Sequence, residues 1–151
     1  MEILDHLGPL LGRAHEAHRA VVAEELGRLG LTPKGFGALT ALDAEGPLPQ
    51  IELARRQGID RTTMVAVVDE LEGLGAVRRE RDERDRRAYA IELTTAGRRL
   101  LARARPVLRA AEEEFLAPLP ARDRERLKDA LRLLLEAHAS GVSSSSSARM
   151  R

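Results

Sequence analysis

The sequence predicts a mainly α-helical fold with a small β-wing, and three observations carry that reading. Two short amphipathic stretches, about 50 to 57 and 61 to 74, are split by Gly58-Ile59-Asp60, a three-residue turn containing glycine. Directly after them the period changes. Residues 76 to 79 and 89 to 93 alternate as strands do, around a run from Glu80 to Arg87 with no apolar residue. Longer stretches with Leu and Ala stripes lie on both sides. Together these describe a winged helix-turn-helix flanked by N- and C-terminal helices suited to dimerisation.

Each element has a local cause. Leu10, Leu11, Ala14, Val21, Val22, Leu26 and Leu29 return at helical spacing, which predicts a helix over 10–29 that Gly30 ends. Thr32-Pro33 then supplies a capping hydroxyl and a proline at the first helical position, starting a helix over 33–44 that stops before Gly46-Pro47. Asp60 can cap the helix from Arg61, whose core stripe is Met64, Val68 and Leu71 with Val67 and Leu74 beside it; Gly75 ends it. Thr94 can cap a helix through about 117, bent at Pro106 and broken by Pro118 and Pro120. A last helix over 121–139 carries Leu127, Ala130, Leu131, Leu134 and Leu135, and Ser140-Gly141 ends it. Residues 1–142 are therefore expected to form one domain, with dimerisation helices at about 10–29 and 95–140 and a DNA-binding core at about 33–94. Residues 143–151, opening on a serine run, read as a mobile tail.

Composition narrows the function classes. The chain has 151 residues, no Cys, and 25 Lys+Arg against 24 Asp+Glu. Without Cys there is no disulfide framework, thiolate metal site or thiol switch. No apolar run approaches the ~20 residues of a membrane helix, and the N-terminus lacks the basic start of a secretory signal, which points to a cytoplasmic protein. Aromatic residues make up 2%, too few for the base-stacking platforms of single-strand binders. Phosphate loops, nucleophile motifs and metal-spaced His/carboxylate clusters are missing from the sequence, so the expectation is no enzyme, no metal and no cofactor. Residues 50–100 hold 11 Arg and 10 acids, so binding to a polyanion must rest on placed arginines rather than bulk charge.

Those placements follow from the fold. With Met64, Val68 and Leu71 facing inward, Arg61, Thr62, Val65, Ala66 and Asp69 form the outer face of the second short helix. An α-helix fits the major groove and its first turns reach base edges. Arg61 can meet guanine or phosphate, Thr62 and Val65 can pack on thymine methyls, and Thr63 can reach a phosphate or base; Asp69 and Glu70 would repel phosphates. Arg84, Arg86 and Arg87 lie on the wing, where an arginine is favoured in a narrow minor groove. The alternative reading is a winged-helix protein–protein adaptor whose charged wing pairs with a partner chain.

In this order and spacing, Leu53-Ala54, Gly58-Ile59-Asp60-Arg61-Thr62-Thr63, the run from Leu71 to Arg79, Asp85-Arg86-Arg87 and Leu93-Thr94-Thr95-Ala96-Gly97 resemble the winged-helix core of the MarR family of bacterial transcription regulators. The core match spans about 31–101, and the flanking helices fit the family plan. The resemblance implies a homodimeric regulator of double-stranded DNA, commonly a ligand-responsive repressor, on a pseudo-palindromic operator. It makes Arg86 the residue of minor-groove insertion, with Asp85 and Arg87 bracing the wing. It also implies a small phenolic or anionic effector, near which His15, His18 and Phe36 would lie. The chain departs from the family where Val65 and Ala66 replace polar or basic residues and where Glu70 replaces a basic one. Cysteine-based sensing, known in some relatives, is excluded.

Overall fold

The computed structural model describes residues 6–81 and 89–142. Among these the order is α1 (Leu7–Gly27), α2 (Pro33–Glu45), β1 (Leu48–Pro49), α3 (Gln50–Gln57), α4 (Arg61–Gly73), β2 (Val77–Arg81), β3 (Tyr89–Leu93), α5 (Thr95–Leu116) and α6 (Ala121–Val142). The chain divides into two compact units after Glu112.

The first unit holds the core. Val22 and Leu26 of α1, Ala38, Leu39 and Leu42 of α2, Leu53 of α3, and Met64, Val68 and Leu71 of α4 are buried together with Ile91, Leu93, Leu101 and Ala104. The predicted stripe of α4 is thus correct at Met64, Val67, Val68 and Leu71 but not at Leu74, which is 47% exposed. Leu74 is the C-cap of α4, past the last residue that keeps the helical repeat on the core face.

Local chemistry sets the helix ends. The Thr32 hydroxyl accepts a hydrogen bond from the Gly35 amide at 3.0 Å, with Pro33 in the first turn. Gly58, at φ +60, closes α3 in the left-handed region and turns the chain towards Asp60. α1 stops at Gly27, two residues before the expected end, and a turn carries the chain to Leu31, whose amide returns to the Leu26 carbonyl. Pro106 lies inside α5 without ending it.

Among the described residues three antiparallel strands in the order β1-β3-β2 form the sheet. The pair β2–β3 aligns Val77 with Leu93, Arg79 with Ile91 and Arg81 with Tyr89. The alternation puts Val77, Ile91 and Leu93 on the core face, and Arg79 shares that face. Glu80 and Arg81, expected in the charged turn, belong to strand β2. Sequence reading missed β1, where Leu48 pairs with Ile91 and Pro49 with Ala90. It is an edge strand, where a proline with no amide to donate is tolerated.

The junction of sheet and α5 is tight. Thr94 donates its hydroxyl to the Gly75 carbonyl at 2.6 Å and accepts from the Gly97 amide at 3.0 Å, while its own amide reaches the Ala76 carbonyl at 3.0 Å. Gly97 packs so closely that a β-carbon there would lie 2.0 Å from the Ala76 carbonyl oxygen.

The second unit contains the end of α5, a turn, and α6. Arg124 ties the turn by donating from Nε to the Leu119 carbonyl at 2.9 Å. Its helix runs on through Val142, beyond the Ser140-Gly141 expected to stop it. Glycine inside a helix costs only about 1 kcal/mol against alanine, which the continuing backbone ladder can offset. Leu127, Leu131, Leu133, Leu134 and Leu135 of α6 are exposed, Leu135 at 72%. In the first unit Leu7, Leu10 and Leu11 of α1 are exposed as well. The tail, 143–151, lies outside the described residues.

Candidate nucleic-acid interface

The start of α4 is organised by one carboxylate. Asp60 Oδ1 accepts the Thr63 amide at 2.9 Å, and Oδ2 accepts the Thr63 hydroxyl at 2.6 Å. These bonds, the hydroxyl's first and the amide's second, hold the Asp60 carboxyl below its ordinary pKa. Thr63 is half-buried, and its hydroxyl proton is committed to the cap, whereas Arg61, Thr62, Val65 and Ala66 are exposed on the outer face. Among the described residues the Arg61 side chain forms no hydrogen bond or ion pair, so its charge and its fork of donors are open to a ligand.

The acids on the same helix are handled by the sheet. Arg79 of β2 donates from Nη2 to Asp69 at 2.6 Å and pairs through Nη1 with Glu72. The Arg79 side chain is only 25% exposed, and the hydrogen bond to Asp69 is the main cause that raises its pKa further. Asp69, expected to repel phosphates, is thus neutralised in place, while Glu70 remains exposed. Arg78 points to the other face of the sheet, where Nη2 lies 2.7 Å from Glu92 and Nε 3.2 Å from Glu80. It is engaged within the sheet.

Sequence reasoning missed the contribution of α3. Gln50, Ile51 and Ala54 of α3 join Arg61, Met64 and Val65 of α4 around a cleft of about 220 Å³. A second cleft of about 250 Å³, lined by Pro49, Gln50, Ile51, Arg79 and Tyr89, shares Gln50 and Ile51 with the first. An isoleucine two positions before the buried Leu53, on the other side of α3, is the local sign of this role; Ile51 is 54% exposed although α3 buries Leu53 and Ala54.

The remaining sequence candidates separate. Arg84, Asp85, Arg86 and Arg87 lie outside the described residues. His15 is exposed on α1 and His18 is half-buried there. Phe36 is partly buried against the hydrophobic core, which accounts for its presence on α2 without a ligand.

Comparison with known proteins gives a consistent answer. A family model described as the MarR family matches residues 29–88. The chain is 37% identical over 128 residues to the HTH-type transcriptional repressor Rv2887 of Mycobacterium tuberculosis, covering 85% of this chain and 92% of that protein. Among solved structures, a probable transcriptional regulator from Pseudomonas aeruginosa superposes with a TM-score of 0.81 at 33% identity, covering 88% of this chain and 99% of that one. The Mycobacterium tuberculosis MarR family protein Rv2887 in complex with salicylic acid superposes with a TM-score of 0.70 at 36% identity, covering 85% and 96%.

Proposed function

This chain belongs to the MarR family of transcription regulators, and from that premise we propose that it is a homodimeric repressor that binds a pseudo-palindromic double-stranded operator and is released by a small effector. The observation that carries the DNA reading is the charge arrangement on α4. Among the described residues Arg61 stands unpaired at its start, beside exposed Thr62, Val65 and Ala66, while Asp69 and Glu72 are paired with Arg79. An open cation at the start of a groove-sized helix, with Asp69 and Glu72 paired to Arg79, suits a phosphate-lined major groove.

In this reading Arg61 contacts guanine or phosphate, Thr62, Val65 and Ala66 face the bases, and Thr63 chiefly fixes the first turn. Arg84, Arg86 and Arg87 of the wing reach the minor groove, with Asp85 as their brace. The leucines left exposed on α1 and α6 support a dimer, because such stripes are normally covered. A twofold pair then presents two α4 helices to two half-sites. A salicylic acid complex of a relative supports a phenolic or anionic effector; His15 and His18 of α1 and Phe36 of α2, which also packs on the core, are its proposed contacts.

Selection of bound fragments from random duplex DNA, followed by sequencing, tests the proposal. Enrichment of a palindrome whose half-sites lie one helical turn apart is expected. No enrichment at low salt overturns it, and binding only to protein partners would favour an adaptor.

A further inference from the structure

We propose that the cleft between α3 and α4 is a thymine reader: it takes the 5-methyl group and adjoining edge of one thymine per half-site, with Ile51 as the specificity-determining residue that sequence reading assigned no role. This rests on the DNA-binding reading above and deepens it.

The floor and walls of the cleft are apolar, from Ile51, Ala54, Met64 and Val65, and its rim carries the amide of Gln50 and the open guanidinium of Arg61. Met64 and Ala54 belong to the core and fix the floor, whereas Ile51 and Val65 are exposed on its two sides. Such a surface fits one feature of duplex DNA. In the major groove only thymine presents a methyl group, among polar edges and phosphates that suit an arginine at the rim. Val65 belongs both to the cleft and to the outward face of α4, so a base edge laid against Val65 can also meet Ile51. Its volume, about 220 Å³, exceeds a methyl group and leaves room for the C5–C6 edge of the ring. Val65 supplies one wall. A second wall comes from a different helix, so the contact depends on the angle between α3 and α4, which the Gly58 turn sets.

The probe is the duplex recovered by selection, with each thymine replaced singly by deoxyuridine, which removes the methyl and changes no hydrogen bond. Fluorescence anisotropy of the full chain should find one position per half-site where the replacement weakens binding about 3- to 4-fold, and about 10- to 15-fold when made in both half-sites. Ile51→Ala should erase the difference between thymine and uracil at that position, and Ile51→Val should keep most of it. Circular dichroism checks that both variants fold. The proposal is overturned if no thymine is methyl-sensitive, or if the sensitivity survives Ile51→Ala and vanishes only in Val65→Ala, which would put the methyl on α4 alone. Selection that enriches no duplex removes the DNA-binding reading and this proposal together; a palindrome without methyl sensitivity removes this proposal only.

Discussion

Arg79 Nη2 lies 2.6 Å from Asp69 Oδ1, so a strand residue ten positions downstream holds the carboxylate that stands on the outer face of α4. The register explains how: Arg79 is opposite Ile91 on the face of the sheet that packs inward, and its guanidinium reaches the helix instead of solvent. The pair joins the strand β2 with the helix proposed to enter the major groove, and it offsets a charge unfavourable to phosphates.

Arg79→Met should therefore weaken operator binding although Arg79 is not proposed to touch a base. Freeing Asp69 and Glu72 places like charge near the backbone, and a loss of about 5- to 10-fold at low salt is expected. Adding Asp69→Asn should restore most of it. Anisotropy titrations across a salt series check both, and equal losses in the single and double variants would mean that neutralising Asp69 is not what Arg79 does.

The Asp60 cap should make the stability of α4 depend on acid. Its carboxyl titrates below its ordinary value because of the Thr63 hydroxyl and amide, so its stabilisation is complete above the unfolded value of about 3.9 and is lost as pH falls through the lower, folded value. Asp60→Ala should lower Tm at neutral pH, and the gap from the unaltered chain should close below about pH 4. Thermal melts at several pH values read this directly. A gap that stays constant down to pH 2 would contradict it.

Gly97→Ala should be among the most damaging single-methyl additions in the chain. The new β-carbon would meet the Ala76 carbonyl oxygen at 2.0 Å, and that oxygen already receives the Thr94 amide, so it cannot move freely. A cost of about 3 kcal/mol is expected by denaturant unfolding. A change under about 1 kcal/mol would show that the junction relaxes.

Dimerisation should depend on the leucines of α6. Leu134→Glu adds two charges to a twofold interface at once, and at least about 1.5 kcal/mol per lost leucine weakens association on the order of 100-fold or more. Analytical ultracentrifugation at micromolar concentration should find a dimer for the unaltered chain and monomer for the variant. A monomeric unaltered chain would sink the dimer itself.

Most elements were legible because their ends are written in neighbouring residues. Thr32-Pro33, Gly58 with Asp60, and Thr94 each act over three or four positions, and each cap forms as its residue type dictates. What escaped was non-local. The two residues of β1 become a strand only by pairing with β3, some 40 positions on. The Arg79–Asp69 pair depends on how β2 packs on α4, and the role of Ile51 on the crossing of two helices. Leu74 failed for another reason: an apolar residue at a helix end need not follow the stripe it continues on paper.

The hydroxyl of Thr94 also has a mechanical meaning. One atom is gripped from both sides, by the carbonyl that follows α4 and by the amide of the first turn of α5. Two elements pinned through a single atom behave as a bell crank. A tilt of the first turn of α5 would strain both hydrogen bonds at that corner and so bear on the chain that leaves α4 and enters β2.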